Sequence, residues 1–316
     1  MAAKVTNVIV ILGPTASGKT GLSIDIAEHL KKPDGSIGAE VISADSRQIY
    51  KGLDIGTGKV TKEEARGIPH HLIDILEPSE TYSVARFVAD ATKAIHEIAA
   101  KGRTPIICGG TGFYIEALVQ GWELPETSRN DEFEKSCQGK STESLYIELQ
   151  TKDVARAESI DPTNRRRVIR ALEIATSEGS VPQLVSNPPK DMNFLKIAID
   201  TADTESYRKK INDRLKKRLD QGMIAEAQRL FQLYQDSKGK RGISYERMAE
   251  LGLEYKWMAE YLTGKVKYDE FVTILGNKIW QYARRQKTWF RRDAGIKSFK
   301  LEQKKEILAE VDAFLK

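Results

Sequence analysis

Cysteine is scarce: in 316 residues only Cys108 and Cys137 carry a thiol. Two cysteines exclude a disulfide framework and cannot supply a four-ligand zinc site. Long apolar runs are missing too. The longest strictly apolar stretch, Val8 to Leu12, falls far short of the about 20 residues that cross a bilayer. It leads into a glycine loop rather than a small-residue cleavage site, so it does not read as a signal-peptide core. The sequence therefore reads as a soluble, cytoplasmic protein with no membrane segment. Only four histidines occur, and no Cys/His/carboxylate spacing suggests a metal centre, so His70 and His71 read as structural. Internal repeats and low-complexity tracts are absent. What is present is a composition 40% hydrophobic and 30% charged, enough for a sizeable core under an ionic surface. The length is that of about two domains.

Fifty Lys and Arg face forty-five Asp and Glu, for a net +5. That excess is small, but it is unevenly placed. Lys278 to Lys300 holds eight basic residues and one acid, interleaved with Trp280, Tyr282, Trp289, Phe290 and Phe299. Tyr207 to Arg218 holds seven basic residues against Asp213, and Arg165, Arg166, Arg167 and Arg170 form a third cluster. Three such clusters on a nearly balanced chain suggest a local surface for a polyanion, with solvated helix faces as the plainer explanation of each. Trp280 and Trp289 read as core residues rather than base platforms.

Val8 to Leu12 reads as a buried strand, and Leu22, Ile26 and Leu30 follow at helical spacing. Glu40 to Ser43 and Pro105 to Cys108 read as further strands. Ser83 is placed to cap a helix running to about Lys101 through Phe87, Ala91, Ile95 and Ile98. Strands alternating with helices predict a mostly parallel sheet. The alternation stops near Gly121, and Trp122 to Val185 shows helical patterns without a strand. Phe194 to Ile199 returns to the sheet. The expected architecture is an α/β core of residues 1–121 and 186–316, with an all-helical insertion at 122–185 and C-terminal helices.

Gly13-Pro-Thr-Ala-Ser-Gly-Lys-Thr20 fits G-x-x-x-x-G-K-[ST], with a strand before it and a helix after it. Backbone amides from Gly13, Pro14, Thr15, Ala16, Ser17 and Gly18 would curl around a phosphate chain, proline excepted since it has no N–H. Lys19 would add a point charge, and Thr20 could ligate a phosphate-bound Mg²⁺. The loop alone leaves three functions open. A small-molecule kinase would use it to hold ATP as phosphoryl donor. An RNA-binding module could keep a nucleotide as a structural ligand. A group transferase could hold a diphosphate as leaving group.

Further segments narrow the choice. Ser43-Ala-Asp-Ser-Arg-Gln-Ile-Tyr50, Asp54-Ile-Gly-Thr57, Pro69-His-His-Leu-Ile-Asp74, Gly109-Gly-Thr-Gly-Phe-Tyr114, Asp161-Pro-Thr-Asn-Arg-Arg-Arg-Val-Ile-Arg-Ala-Leu-Glu173 and Gln281-Tyr-Ala-Arg-Arg-Gln-Lys-Thr-Trp-Phe290 follow the loop in order. Together with it they resemble the bacterial tRNA dimethylallyltransferases, or isopentenyltransferases, to about residue 292. The resemblance implies a P-loop NTPase-like sheet and transfer of a dimethylallyl group from its diphosphate to N6 of adenosine 37, beside the tRNA anticodon. It implies Mg²⁺ as cofactor, with tRNA and dimethylallyl diphosphate as partners of what is expected to be a monomer. It matches Asp45 to the general base, Thr111 to a contact near the reacting adenosine, and Arg214 to a second diphosphate contact. It places Ser46, Arg47, Gln48, Asn164, Arg165, Arg166, Arg167, Arg284 and Arg285 toward tRNA.

The residues are chemically suited to this. Charge growing on a departing diphosphate is stabilised by preorganised amides and a lysine. An exocyclic adenine amine is a poor nucleophile and must shed a proton, which a carboxylate can take. Asp45 and Thr111 also have ordinary alternatives as turn or helix-cap residues. An arginine run at a helix start opposes the dipole there, which favours a phosphate or base contact over helix stabilisation. Two departures stand out: Glu134 lies nearest the place of a usual tRNA-contacting arginine, and Arg241-Gly-Ile-Ser-Tyr245 replaces a common Ala-Ile-Gly-Tyr form.

Overall fold

A computed structural model describes residues 5–123, 130–201 and 204–316, apart from the side chain of Asp131. The chain divides into two compact units, Met1–Val119 with Pro189–Lys316, and Gln120–Pro188.

The first unit opens with strand β1 (Thr6–Leu12), helix α1 (Lys19–His29), β2 (Ala39–Ser43), the short α2 (Lys62–Ala65), β3 (His70–His71), α3 (Val84–Ala100), β4 (Thr104–Gly109) and α4 (Gly112–Gln120). Helices α5 (Asp131–Ser136), α6 (Thr142–Lys152), α7 (Val154–Ser159) and α8 (Arg165–Glu178) belong to the second unit. The first unit resumes with β5 (Met192–Ile199), α9 (Thr204–Asp220), α10 (Met223–Asp236), α11 (Tyr245–Leu251), α12 (Leu253–Leu262), α13 (Tyr268–Phe290), β6 (Lys297–Phe299) and α14 (Lys304–Leu315).

Among the described residues the strands form one sheet in the order β3-β2-β4-β1-β5-β6, and every pairing is parallel. β1 sits inside it because its β-branched run is apolar on both faces, the pattern of a strand covered on both sides. Val8, Val10 and Leu12 pack with Phe87 and Ile95 of α3, while Ile9 and Ile11 pack with Ile24 and Ile26 of α1 and Ile307 and Val311 of α14. Each such side chain contributes about 1.5–3 kcal/mol by leaving water. Ser83 caps α3 as its position predicts, its hydroxyl accepting from the Arg86 amide.

Two strands were not legible. β3 is two histidines on the outer edge of β2, and β6 is Lys-Ser-Phe on the outer edge of β5. Short polar edge strands lack the apolar alternation that marks interior ones. Helices α9 to α13 enclose a separate core around Tyr255, Phe271 and Leu275, joined by Ile49, Tyr50 and Leu53 from the segment after β2.

Within the second unit, Leu145, Leu149, Val168 and Leu172 form the core. Its helices are capped in succession by the side chains of Asn130, Ser141, Asp153 and Asn164, each accepting from an amide of the first turn.

The register sets the site. Leu12 pairs with Gly109 and with Ala198, and Ser43 with Cys108. The glycine loop after β1, the Asp45 segment after β2 and the Gly110-Thr111 turn after β4 thus leave the sheet together at its carboxyl edge, where open α/β sheets place their ligands.

Candidate active site

The glycine loop turns through two left-handed residues, one of them an alanine. Ala16 and Gly18 have φ of +62° and +92°, and the Ser17 amide donates to the Pro14 carbonyl at 3.3 Å. A Cβ at Gly13 would lie 2.6 Å from Ser17 Oγ. Gly18 heads α1 with no side-chain cap, so the first-turn amides face outward as an anion site. The Ser17 hydroxyl is buried and has no hydrogen-bond partner among the described residues.

Two remote side chains hold this loop, and neither was legible in the sequence. Gln286 of α13 accepts from the Thr15 amide at 2.9 Å and donates to the Gly110 carbonyl at 2.7 Å, tying the loops after β1 and β4. Tyr207 of α9 donates its hydroxyl to the Thr15 carbonyl. Their partners lie 271, 176 and 192 residues away along the chain, beyond any local pattern.

Lys19 donates to the Pro14 carbonyl at 3.3 Å. Burial pulls its pKa below the ordinary lysine value; Cys108 and Asp45 oppose that shift and Arg214 adds to it. Arg214 of α9 is likewise lowered, first by burial and then by Arg218. Two desolvated cations therefore face one cavity of about 280 Å³, lined also by Thr15, Thr20, Asp45 and Arg285. Such a cavity favours a multiply charged anion.

Asp45 makes a turn and borders the cavity at once. Oδ1 accepts from the Arg47 amide at 2.9 Å, which closes an Asx turn, and the carboxylate lines the cavity. Thr111 stands at the start of α4, its carbonyl accepting from the Ile115 amide at 3.3 Å, while its hydroxyl accepts from the Ser46 amide at 3.2 Å and braces the Asp45 turn; it is not among the residues lining the cavity. Arg47 donates to the Leu251 carbonyl at 2.8 Å. The Gln48 amide is occupied, accepting from Ser43 Oγ at 3.1 Å and donating to the Gly58 carbonyl at 3.4 Å, so reading an adenine edge would require it to exchange partners.

The two histidines part ways. His71 Nε2 pairs with buried Glu40 at 2.6 Å, a structural contact. His70 Nδ1 bonds the Ile68 carbonyl at 2.8 Å, but the residue also lines the cavity, and its Nε2 is buried with no partner among the described residues. Burial holds its pKa low. His70 thus keeps its place in the edge strand β3 and also borders the cavity, a position that its distance from the glycine loop in the chain hid.

Among the basic residues, Asn164 caps α8 through the Arg167 amide. The Arg165 guanidinium donates to the carbonyls of Lys140 and Cys137 at 2.8 and 2.7 Å, a tie inside the helical unit. Arg166 and Arg167 are exposed, as are Arg284 and Arg285. Trp280 and Trp289 are half-buried against apolar clusters, in line with a core role. Glu134 is exposed on α5.

Fold and site together define an α/β protein of the phosphate-loop class, with a carboxylate and a second cation brought to the loop. The chain belongs to the IPP transferase family, whose model matches residues 48–293. It is 43% identical to a tRNA dimethylallyltransferase of Acetivibrio thermocellus, covering 90% of this chain and 89% of that one. It is 39% identical to one of Exiguobacterium, covering 99% and 98%. A tRNA isopentenylpyrophosphate transferase of Bacillus halodurans superposes with a TM-score of 0.69 at 35% identity, over 99% of this chain and 97% of that one. A eukaryotic dimethylallyltransferase solved acting on tRNA gives 0.74 at 26%, over 98% and 77%.

Proposed function

We propose that the chain transfers a dimethylallyl group from dimethylallyl diphosphate to N6 of adenosine 37 of tRNA, releasing diphosphate. The observation that carries this reading is one cavity walled by the glycine loop, by two desolvated cations and by the Asp45 carboxylate. In the reaction the allylic C–O bond breaks, its electron pair leaving with diphosphate, and the N6 lone pair forms the new C–N bond. The loop amides, Lys19 and Arg214 hold the growing negative charge. Asp45 Oδ2, which makes no hydrogen bond among the described residues, takes the N6 proton. The adenine reaches this carboxylate only by leaving the anticodon-loop stack.

Mg²⁺ suits the donor set. The Thr20 hydroxyl lines the cavity, and a cation that keeps most of its water needs one such ligand plus the substrate's phosphate oxygens. When bound, the ion neutralises charge on the leaving diphosphate. Exposed Arg166, Arg167, Arg284 and Arg285 supply phosphate contacts for tRNA. The protein works as a monomer in the cytoplasm; among the described residues no helix is long and apolar enough to cross a membrane.

The test is mass spectrometry of nucleosides from tRNA incubated with the protein, dimethylallyl diphosphate and Mg²⁺. The expected result is one adenosine heavier by a dimethylallyl group. An unchanged adenosine, with phosphate transferred from ATP to a small acceptor instead, would assign the cavity to a kinase.

A further inference from the structure

The segment from Asp54 to Gly58 is organised around a carboxylate that arrives about 170 residues later. Glu226 of α10, only 1% exposed, accepts from three successive backbone amides. Oε2 takes those of Asp54 and Ile55 at 3.0 and 2.6 Å, and Oε1 takes that of Gly56 at 2.9 Å. Tyr255 adds its hydroxyl to Oε1 at 2.7 Å. Consecutive amides converging on one anion form a nest, here filled by the protein's own side chain.

The other side of the loop is tied as well. Arg218 donates to the Ile55 carbonyl at 2.6 Å and pairs with Glu254 at 3.1 Å. Gly56 has no room to shift, since a Cβ there would fall 2.4 Å from Tyr255 Oη. The chain then reaches Gly58 at φ +61°, whose carbonyl accepts from Gln48 Nε2 at 3.4 Å and Arg214 Nη2 at 3.5 Å. A Cβ at Gly58 would stand 2.2 Å from that same Arg214 nitrogen. The guanidinium rests on the bare Cα and carbonyl of a loop whose position Glu226 sets.

We propose that Glu226 is a positioning residue for anion binding, acting through the 54–58 loop to hold the Arg214 guanidinium against the cavity. This rests on Arg214 being a diphosphate contact, as in the function proposed above. If the buried carboxylate served stability alone, replacing it would lower the melting temperature without any coupling to Arg214.

The experiment is calorimetric titration of inorganic pyrophosphate into wild type, Glu226→Gln, Arg214→Ala and the double variant. The glutamine keeps the shape but turns an NH₂ toward an amide donor. Pyrophosphate is expected to bind Glu226→Gln about tenfold more weakly, a loss of about 1.4 kcal/mol. The double variant is expected to bind no worse than Arg214→Ala, because both changes remove one interaction. In steady-state assays the KM for the donor should rise while that for tRNA holds. Wild-type affinity in Glu226→Gln, or additive losses in the double variant, would overturn the inference. Should Glu226→Gln fail to fold, Tyr255→Phe removes one donor to the carboxylate and is read by the same cycle, with additivity again decisive against the proposal. A wild-type protein that ignores pyrophosphate would overturn the diphosphate reading itself, a result distinct from either.

Discussion

Lys19 and Asp45 show how single residues hold conflicting assignments. The Lys19 ammonium is costly in the folded protein because burial lowers its pKa. Between that lowered value and the ordinary one, the unfolded chain carries a proton that the folded chain has released. Stability therefore rises with pH across this window, and the full penalty applies below it. Lys19→Met should raise the melting temperature at neutral pH and abolish that slope, while weakening pyrophosphate about ten- to a hundredfold. Thermal melts at several pH values and one titration check both. For Asp45, asparagine preserves the oxygen that accepts from Arg47 but cannot take a proton. Asp45→Asn should keep pyrophosphate affinity and lose about 10²–10⁴ in turnover, measured by single-turnover prenylation. Lys19 was legible from the glycine-loop pattern and Asp45 from its place two residues after β2. Gln286, Tyr207 and Glu226 were not, because their partners are 170 or more residues distant and only the fold unites them.

Helix α8 carries the lesson at the level of elements. Its start was legible from Asn164, whose side chain does cap the helix. The use of each arginine was not, because direction around the helix depends on what packs beside it. Arg165 turns inward onto the carbonyls of Lys140 and Cys137, whereas Arg166 and Arg167 are exposed. Asn164→Ala should cost about 1 kcal/mol of stability in the helical unit, read by chemical denaturation. Arg167→Ala should leave stability alone and weaken tRNA, lowering the slope of log affinity against log salt by about one. Arg165→Ala should do the reverse. The interior strands were readable from their apolar runs, whereas β3 and β6 were too short and too polar to announce themselves.

For the molecule as a whole, the parallel sheet was legible from the alternation of strands and helices, and helices α5 to α8 form a compact unit of their own between Gln120 and Pro188. The bond that matters for assembly is longer in range. Thr15 is held by Gln286, and β1 pairs on one side with β5, a strand reached only after the helical unit. A chain emerging from the ribosome thus presents its phosphate loop early, yet that loop has no brace until α9 brings Tyr207 and lacks its second until α13 brings Gln286. A chain cut short before Gln286 is expected to leave the Thr15 amide and the Gly110 carbonyl without this partner and to bind pyrophosphate more weakly, as calorimetric titration would read.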